Sequence, residues 1–182
     1  MLLHTCCGPC ALPIIEYFKK EKPDEKLVLL FYNPNIYPKS EYLKRYLQVK
    51  KIAKIYQLKP YRGPYQPKKW LKFLKKNLSQ APESYLENSQ RCQQCFAFRL
   101  KYTAAFAKKF HFKNFGTTLS INRFKDAKFI NQVGEELAKI CHLKYETFPL
   151  DIHQAEKISR ELSQKYQIYR QKYCGCQFSL RH

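Results

Sequence analysis

The chain has 182 residues, a formal charge of +20 from 34 Lys and Arg against 14 Asp and Glu, and 45% hydrophobic residues including 14 Tyr and 13 Phe. It is too apolar and too aromatic for a disordered chain, and it contains no apolar run long enough to span a membrane. It opens on Met1-Leu2-Leu3-His4-Thr5 with neither a basic n-region nor a long apolar h-region, so no secretory signal is expected. One cytoplasmic domain over residues 1–182, in a reducing compartment, is the expectation.

Leu2 to Thr5 is a short apolar strand that ends where Cys6-Cys7-Gly8-Pro9-Cys10 begins. Pro9 suits the first turn of a helix, and Leu12, Ile15 and Phe18 then fall at helical spacing through Lys20. Leu27 to Tyr32 is a buried strand, stopped by Asn33-Pro34-Asn35. The spacing predicts a helix over 40–56, with Leu43, Leu47, Ala53 and Tyr56 near one face. Lys59 to Arg62 is a third strand before Gly63-Pro64, and 67–78 is a basic helix on Trp70, Leu71, Leu74 and Leu78. Residues 81–91 are polar, a loop or short helix, and 92–110 are helical. A strand over 114–119, a helix over 126–141, a strand over 144–148 and a helix over 155–166 follow. The tail from Tyr169 to His182 is irregular.

Strands alternating with helices in this way argue for an α/β fold with a mostly parallel sheet and helices on both faces. Sites in such folds lie beyond the carboxyl ends of the strands. The first cysteine group, Asn33 with Asn35, and Thr117 with Thr118 all follow strands, so they are expected to converge on one rim.

Basic residues are spread along the chain with aromatics among them: Tyr42 with Arg45, Trp70 with Phe73, Tyr169 with Arg170. Lys and Arg neutralise phosphates and aromatic faces stack on unpaired bases, so the composition favours a nucleic-acid partner. The bland alternative is a set of solvated basic helices.

Seven of the eight cysteines fall in three groups: Cys6, Cys7 and Cys10; Cys92 and Cys95; Cys174 and Cys176. Grouped thiols in a cytosolic chain point to metal, iron–sulfur or redox chemistry rather than a disulfide scaffold. The loop after the first strand has only Gly8, which makes a nucleotide-phosphate loop a weak reading. Vicinal Cys6 and Cys7 are awkward as two ligands of one tetrahedral zinc, whereas a cluster offers separate irons to neighbouring thiolates. With Cys92 and Cys95 they make four, the number a 4Fe–4S cluster needs. Cys174-Gly175-Cys176 can close a strained, redox-labile disulfide or supply further metal ligands. Cys141, alone near a helix end, reads as a core residue.

These motifs resemble the QueH-type epoxyqueuosine reductases, cobalamin-independent enzymes of tRNA queuosine synthesis. The resemblance is carried by His4-Thr5-Cys6-Cys7-Gly8-Pro9-Cys10, Phe31 to Ile36 with Glu41-Tyr42 and Arg45, Arg91-Cys92 to Cys95, Arg99-Leu100 with Thr103-Ala104, Thr117-Thr118-Leu119, Ser159, and Tyr169 to Cys176. It implies a three-layer Rossmann-like (HUP-like) domain of about five strands. The activity it implies is removal of the epoxide oxygen of epoxyqueuosine at the tRNA wobble position, leaving queuosine. It also implies a 4Fe–4S cluster on Cys6, Cys7, Cys92 and Cys95, a redox-active disulfide of Cys174 and Cys176, and an additional adjacent iron to which Cys10 is a candidate ligand. Candidate substrate-binding residues are Asn33, Asn35, Tyr42, Arg45, Thr117, Thr118, Tyr169 and Arg170. The partners would be tRNA carrying epoxyqueuosine and an unidentified electron donor, with no membrane. Asp151-Ile152-His153-Gln154 departs from the family pattern, which has an Asp followed by a Trp-like residue there. The rival readings are a zinc-stabilised basic RNA-binding module and a tRNA sulfur-transfer enzyme; the missing glycine-rich ATP loop argues against the second.

Overall fold

A computed structural model describes residues 1–179. The strands are β1 (Leu2–His4), β2 (Val28–Phe31), β3 (Lys59–Arg62), β4 (Asn114–Thr117) and β5 (Lys144–Glu146); the helices are α1 (Gly8–Glu21), α2 (Lys39–Ile55), α3 (Pro67–Asn77), α4 (Gln90–Lys109), α5 (Ala127–Cys141) and α6 (Ile152–Lys165). The sheet runs β3-β2-β1-β4-β5 and every pairing is parallel. The chain winds outward from β1 to β3 and then returns to lay β4 on the other side of β1. The strand order therefore reverses between β1 and β4, and a crevice opens there at the carboxyl ends.

Alternation along the strands divides the core into two layers. Leu3, Leu29 and Phe31 face α1, α2 and α6, in a cluster with Leu12, Ile15, Val49 and Ile52. Leu2, Leu30 and Tyr32 point the other way, against Ala104, Ala107 and Ala138 of α4 and α5. The expected three-layer α/β architecture is thus present, with α3 packed outside on α4.

Several boundaries differ from the sequence expectation, each for a local reason. Pro9 starts α1 earlier than its apolar spacing suggests. Asp151 caps α6 by accepting from the Gln154 amide, so α6 begins at Ile152 rather than Ala155; the unusual 151–154 segment is a helix cap. β4 stops at Thr117, where Thr117 Oγ1 accepts from the Leu119 amide and turns the chain. Single 3-10 turns occupy Pro82–Ser84 and Gln177–Ser179; the last part of the expected irregular tail, 180–182, lies outside the described residues. The inward face of α2 is Tyr42, Arg45, Val49, Ile52 and Ala53: Ala53 lies inward as expected, but Leu43 and Leu47 point to solvent. Polar Arg45 breaks the apolar pattern because its buried end serves a loop, as described below.

Gly134 of α5 is where Tyr145 of β5 crosses the helix, and a Cβ there would run into the tyrosine ring. Alanine gains about 1 kcal/mol of helix propensity, whereas overpacking costs about 1–3 kcal/mol. Gly134→Ala is expected to lower the denaturant midpoint; a raised midpoint would show that the ring yields freely.

Candidate active site at the carboxyl rim of the sheet

A helix that follows a parallel strand runs back antiparallel to it, so its amino end stands at the rim where the strands finish. Cys6 and Cys7 immediately precede α1 and Cys10 lies in its first turn; Cys92 and Cys95 lie in the first turns of α4. Free amides and the helix dipole at those ends favour thiolate over thiol, but at Cys92 and Cys95 burial outweighs them and raises the thiol pKa. On α4, Cys92, Cys95, Arg99 and Thr103 follow one another at three- and four-residue spacing and all are buried, so one helix face carries both thiols and a guanidinium.

The sulfurs of Cys6, Cys7 and Cys10 lie within 4.8 Å of one another, a spacing that could hold a metal ion. Cys6 and Cys7 are 3.8 Å apart. Thr118 Oγ1 accepts from the Cys6 amide (3.0 Å) and donates to the Cys6 sulfur (3.2 Å). Gln171 Nε2 donates to Cys7 Sγ at 2.9 Å, and the Asn88 amide to Cys92 Sγ at 3.3 Å. Cys92 packs with Phe96 and Leu119 against Cys6, while Cys95 packs with Trp70, Leu74 and Cys176. The C-terminal segment therefore brings its cysteines to those of α4. All eight cysteines are free thiols here.

Charge distinguishes the two C-terminal thiols. The hydrogen bond from Cys176 and the cations Lys125 and Arg99 hold Cys174 well below the usual thiol range, against burial. The same hydrogen bond and burial push Cys176 up. Lys125 Nζ lies 3.5 Å from Cys174 Sγ. Burial opposes its charge, but the Cys174 and Cys6 groups facing it prevail and raise its pKa. Burial pushes the Cys95 thiol up to about 11.

Beneath the thiols lies a buried polar network. His4 Nδ1 meets Thr117 Oγ1 at 2.8 Å and Nε2 meets the Tyr32 carbonyl at 3.1 Å. A carbonyl only accepts, so Nε2 carries the proton and Thr117 donates to Nδ1. Burial, aided by Arg99, pushes the His4 pKa down to about 3 and keeps the ring neutral. Asn33 Nδ2 donates to the Thr5 carbonyl at 2.9 Å and its Oδ1 accepts from Arg99.

An open pocket of about 760 Å³ lies over this network, with Cys6, Cys10, Asn33, Asn35, Arg99, Lys125, Arg170 and Cys174 among its lining residues. The expected convergence at one rim is therefore found, but not every candidate faces the pocket. Asn33, Asn35, Arg45 and Arg170 do. The Tyr42 hydroxyl donates to the Gly63 carbonyl and its ring packs on Phe31 and Tyr65. Thr117 and Thr118 brace His4 and Cys6 from behind. The Tyr169 hydroxyl donates to Glu41, under the Lys44 ammonium. Arg45 pairs with Glu41 at 2.7 Å and donates to the carbonyls of Cys174 (2.9 Å) and Tyr173 (3.2 Å), so it holds the loop bearing the C-terminal thiols. Gly175 allows that approach: its φ is +118° and a Cβ would meet the Arg45 guanidinium at 2.8 Å. Arg170 donates to Ser159, which in turn donates to the Pro9 carbonyl and ties α6 to the cysteine turn.

The amino-acid sequence alone assigns no role to Arg99, Lys125 or Gln171. Arg99 was legible, one turn beyond Cys95 on the same helix face. Lys125 and Gln171 sit in loops whose placement no periodicity announces.

With this geometry in place, comparison with known proteins decides the family. A model of the family "Epoxyqueuosine reductase QueH" matches residues 1–182. The chain belongs to the QueH family. Proteins named epoxyqueuosine reductase QueH resemble it throughout. The one from Thermotoga maritima is 34% identical over 99% of this chain and 90% of its own length. Those from Staphylococcus epidermidis and Helicobacter pylori are 32% and 33% identical, over 98% and 100% of this chain. The match covers 75% of the Staphylococcus protein, while the chain spans about half (49%) of the Helicobacter one.

The buried Arg45–Glu41 pair gives a direct test of the loop's anchorage in this QueH chain. Breaking a buried pair from one side costs about 3–5 kcal/mol. Arg45→Met is expected to lose about 3 kcal/mol of stability and to speed amide hydrogen exchange across residues 173–176. Unchanged exchange there would show that the loop is held by other contacts.

Proposed function

We propose that residues 1–182 act as one cytoplasmic catalytic domain, an epoxyqueuosine reductase that converts epoxyqueuosine in tRNA to queuosine. The observation that carries this reading is that Cys6, at the end of β1, and Cys174, from the far end of the chain, line the same polar pocket. Two thiol groups of different character thus face one cavity large enough for a modified nucleobase. Family membership favours this activity over the zinc-stabilised module and the sulfur-transfer alternative.

The donor set supports a 4Fe–4S cluster on Cys6, Cys7, Cys92 and Cys95. It is all sulfur, which suits iron–sulfur groups. Thr118, Gln171 and Asn88 donate to three of the four sulfurs. Arg99 and Lys125 supply positive charge against an anionic thiolate assembly. Cys92 and Cys95 stand outside the tight trio of Cys6, Cys7 and Cys10, so one ion would not serve both groups. Cys10, lining the pocket, is the candidate ligand for an additional adjacent iron. When bound, the cluster would supply electrons one at a time.

Removing the epoxide oxygen breaks two C–O bonds, forms one C=C bond and releases water; it consumes two electrons and two protons. Oxidation of the Cys174 thiolate and the Cys176 thiol to a disulfide yields two electrons and one proton, the second proton comes from solvent, and an electron donor must then reduce the pair again. Cys174, held toward thiolate beside Lys125, is the sulfur that faces the pocket. Arg99 and Lys125 are placed to stabilise negative charge growing on the departing oxygen. Asn33 and Asn35 offer hydrogen bonds at the pocket wall, and Arg45 keeps the loop in register. The +20 charge would hold the phosphates around a wobble base presented in a single-stranded loop. Among the described residues no helix is long and apolar enough to cross a membrane.

Three measurements check this reading. Anaerobically prepared Cys92→Ser should lose the visible cluster absorbance, and full iron and sulfide content in it would remove Cys92 from the ligand set. The Cys174→Ser, Cys176→Ser double variant should keep iron, sulfide and tRNA binding but lose sustained conversion of epoxyqueuosine to queuosine, followed by nucleoside mass spectrometry. Metal loss, or normal turnover, would refute the disulfide role. Affinity for the tRNA should fall steeply between low and moderate salt as counterion release weakens, and a flat dependence would contradict phosphate binding.

A further inference from the structure

We infer that Gln171 is a positioning residue for the iron–sulfur group, whose side-chain amide donates to the Cys7 sulfur and raises the cluster's reduction potential. The inference rests on the cluster reading above. Nε2 of Gln171 lies 2.9 Å from Cys7 Sγ. A thiolate has no proton to give, so only the nitrogen end of the amide can face it. That orientation leaves Oε1 buried with no hydrogen-bond partner among the described residues. An unpaired buried acceptor is unfavourable, so the side chain is not held in this pose by satisfaction of its own polar atoms. The sulfur contact is what the pose achieves.

The backbone is arranged to present this amide. Arg170, one residue before, is tied to Ser159 at 3.0 Å. Tyr173, two residues after, has its carbonyl held by Arg45 and its hydroxyl on the Tyr37 carbonyl at 2.6 Å. Gln171 is thus carried on a segment pinned on both sides, far in sequence from the cysteine it meets. Reduction adds negative charge to a cluster and its ligating sulfurs. A donor aimed at one of those sulfurs stabilises the reduced form more than the oxidised form, which moves the potential upward. The same segment carries Cys174 and Cys176, so the contact that tunes the cluster is delivered by the piece of chain that holds the redox pair.

The test is an anaerobic potentiometric titration of the loaded protein, followed by its visible and electron paramagnetic resonance spectra, in wild type, Gln171→Met and Gln171→Asn. Methionine keeps the length and removes the donor; asparagine keeps an amide but withdraws it by one methylene. At a fixed solution potential the ratio of reduced to oxidised cluster should fall about tenfold in Gln171→Met, a shift of about 59 mV to more negative potential for a one-electron couple. Gln171→Asn should shift in the same direction, and if the methionine variant fails to load, the asparagine variant decides. Variants with full iron and sulfide and the wild-type midpoint overturn the inference while leaving the cluster reading intact. Wild-type protein prepared anaerobically without iron or sulfide overturns the cluster reading, and this inference with it.

Discussion

The site depends on the complete burial of β1. Leu2, Leu3 and His4 are 0% exposed, and the strand is paired on both sides, to β2 and to β4. The ladder continues past its last residue: the Thr5 amide donates to the Leu30 carbonyl and the Thr118 amide to the His4 carbonyl. The chain cannot leave the sheet until Cys6, and Pro9 then starts α1 at once. Cys6 and Cys7 are therefore fixed at the point where the strand order reverses. Three residues of apolar strand position the chemistry of the whole chain.

Buried positive charge is the second constraint. Arg45, Arg91 and Arg99 are each no more than 3% exposed. Among the described residues, only Arg45 of these three has a carboxylate partner. Arg91 donates to the Pro82 carbonyl and lies over the Phe178 ring, and Arg99 donates to Asn33. Hydrogen bonds to neutral groups satisfy only some of these donors, the Nε of Arg91 and of Arg99 being buried without a partner among the described residues, and they leave the charge unbalanced, which is costly in a buried site. Arg99 and Lys125 both face cysteine sulfurs. Cys6 and Cys174, the two thiols held toward thiolate, supply negative charge opposite these cations.

Much of this could be read from the residues. Strand and helix alternation predicts the parallel sheet, and the rule that sites follow the strand ends places Cys6, Asn33 and Thr117 at its rim. What periodicity could not supply was the function of individual polar side chains. Tyr42 and Tyr169 share the aromatic-and-basic composition of an RNA surface, yet their hydroxyls serve Gly63 and Glu41. On α2, the more apolar leucines lie outside and Arg45 inside, because the distant 173–174 carbonyls need a donor. Such long-range demands leave no local trace in sequence. The family likeness reached the cysteines and much of the surrounding frame, but not the roles of Lys125 and Gln171, which depend on how separate loops fold onto the rim.

The proposed iron–sulfur group is shared between the amino ends of α1 and α4. Anomalous diffraction at the iron edge from anaerobically grown crystals tests it most directly. One strong iron peak is expected, enclosed by the sulfurs of Cys6, Cys7, Cys92 and Cys95, beside the pocket that Cys174 faces. A single metal confined to Cys6, Cys7 and Cys10, with Cys92 and Cys95 unligated, would contradict it.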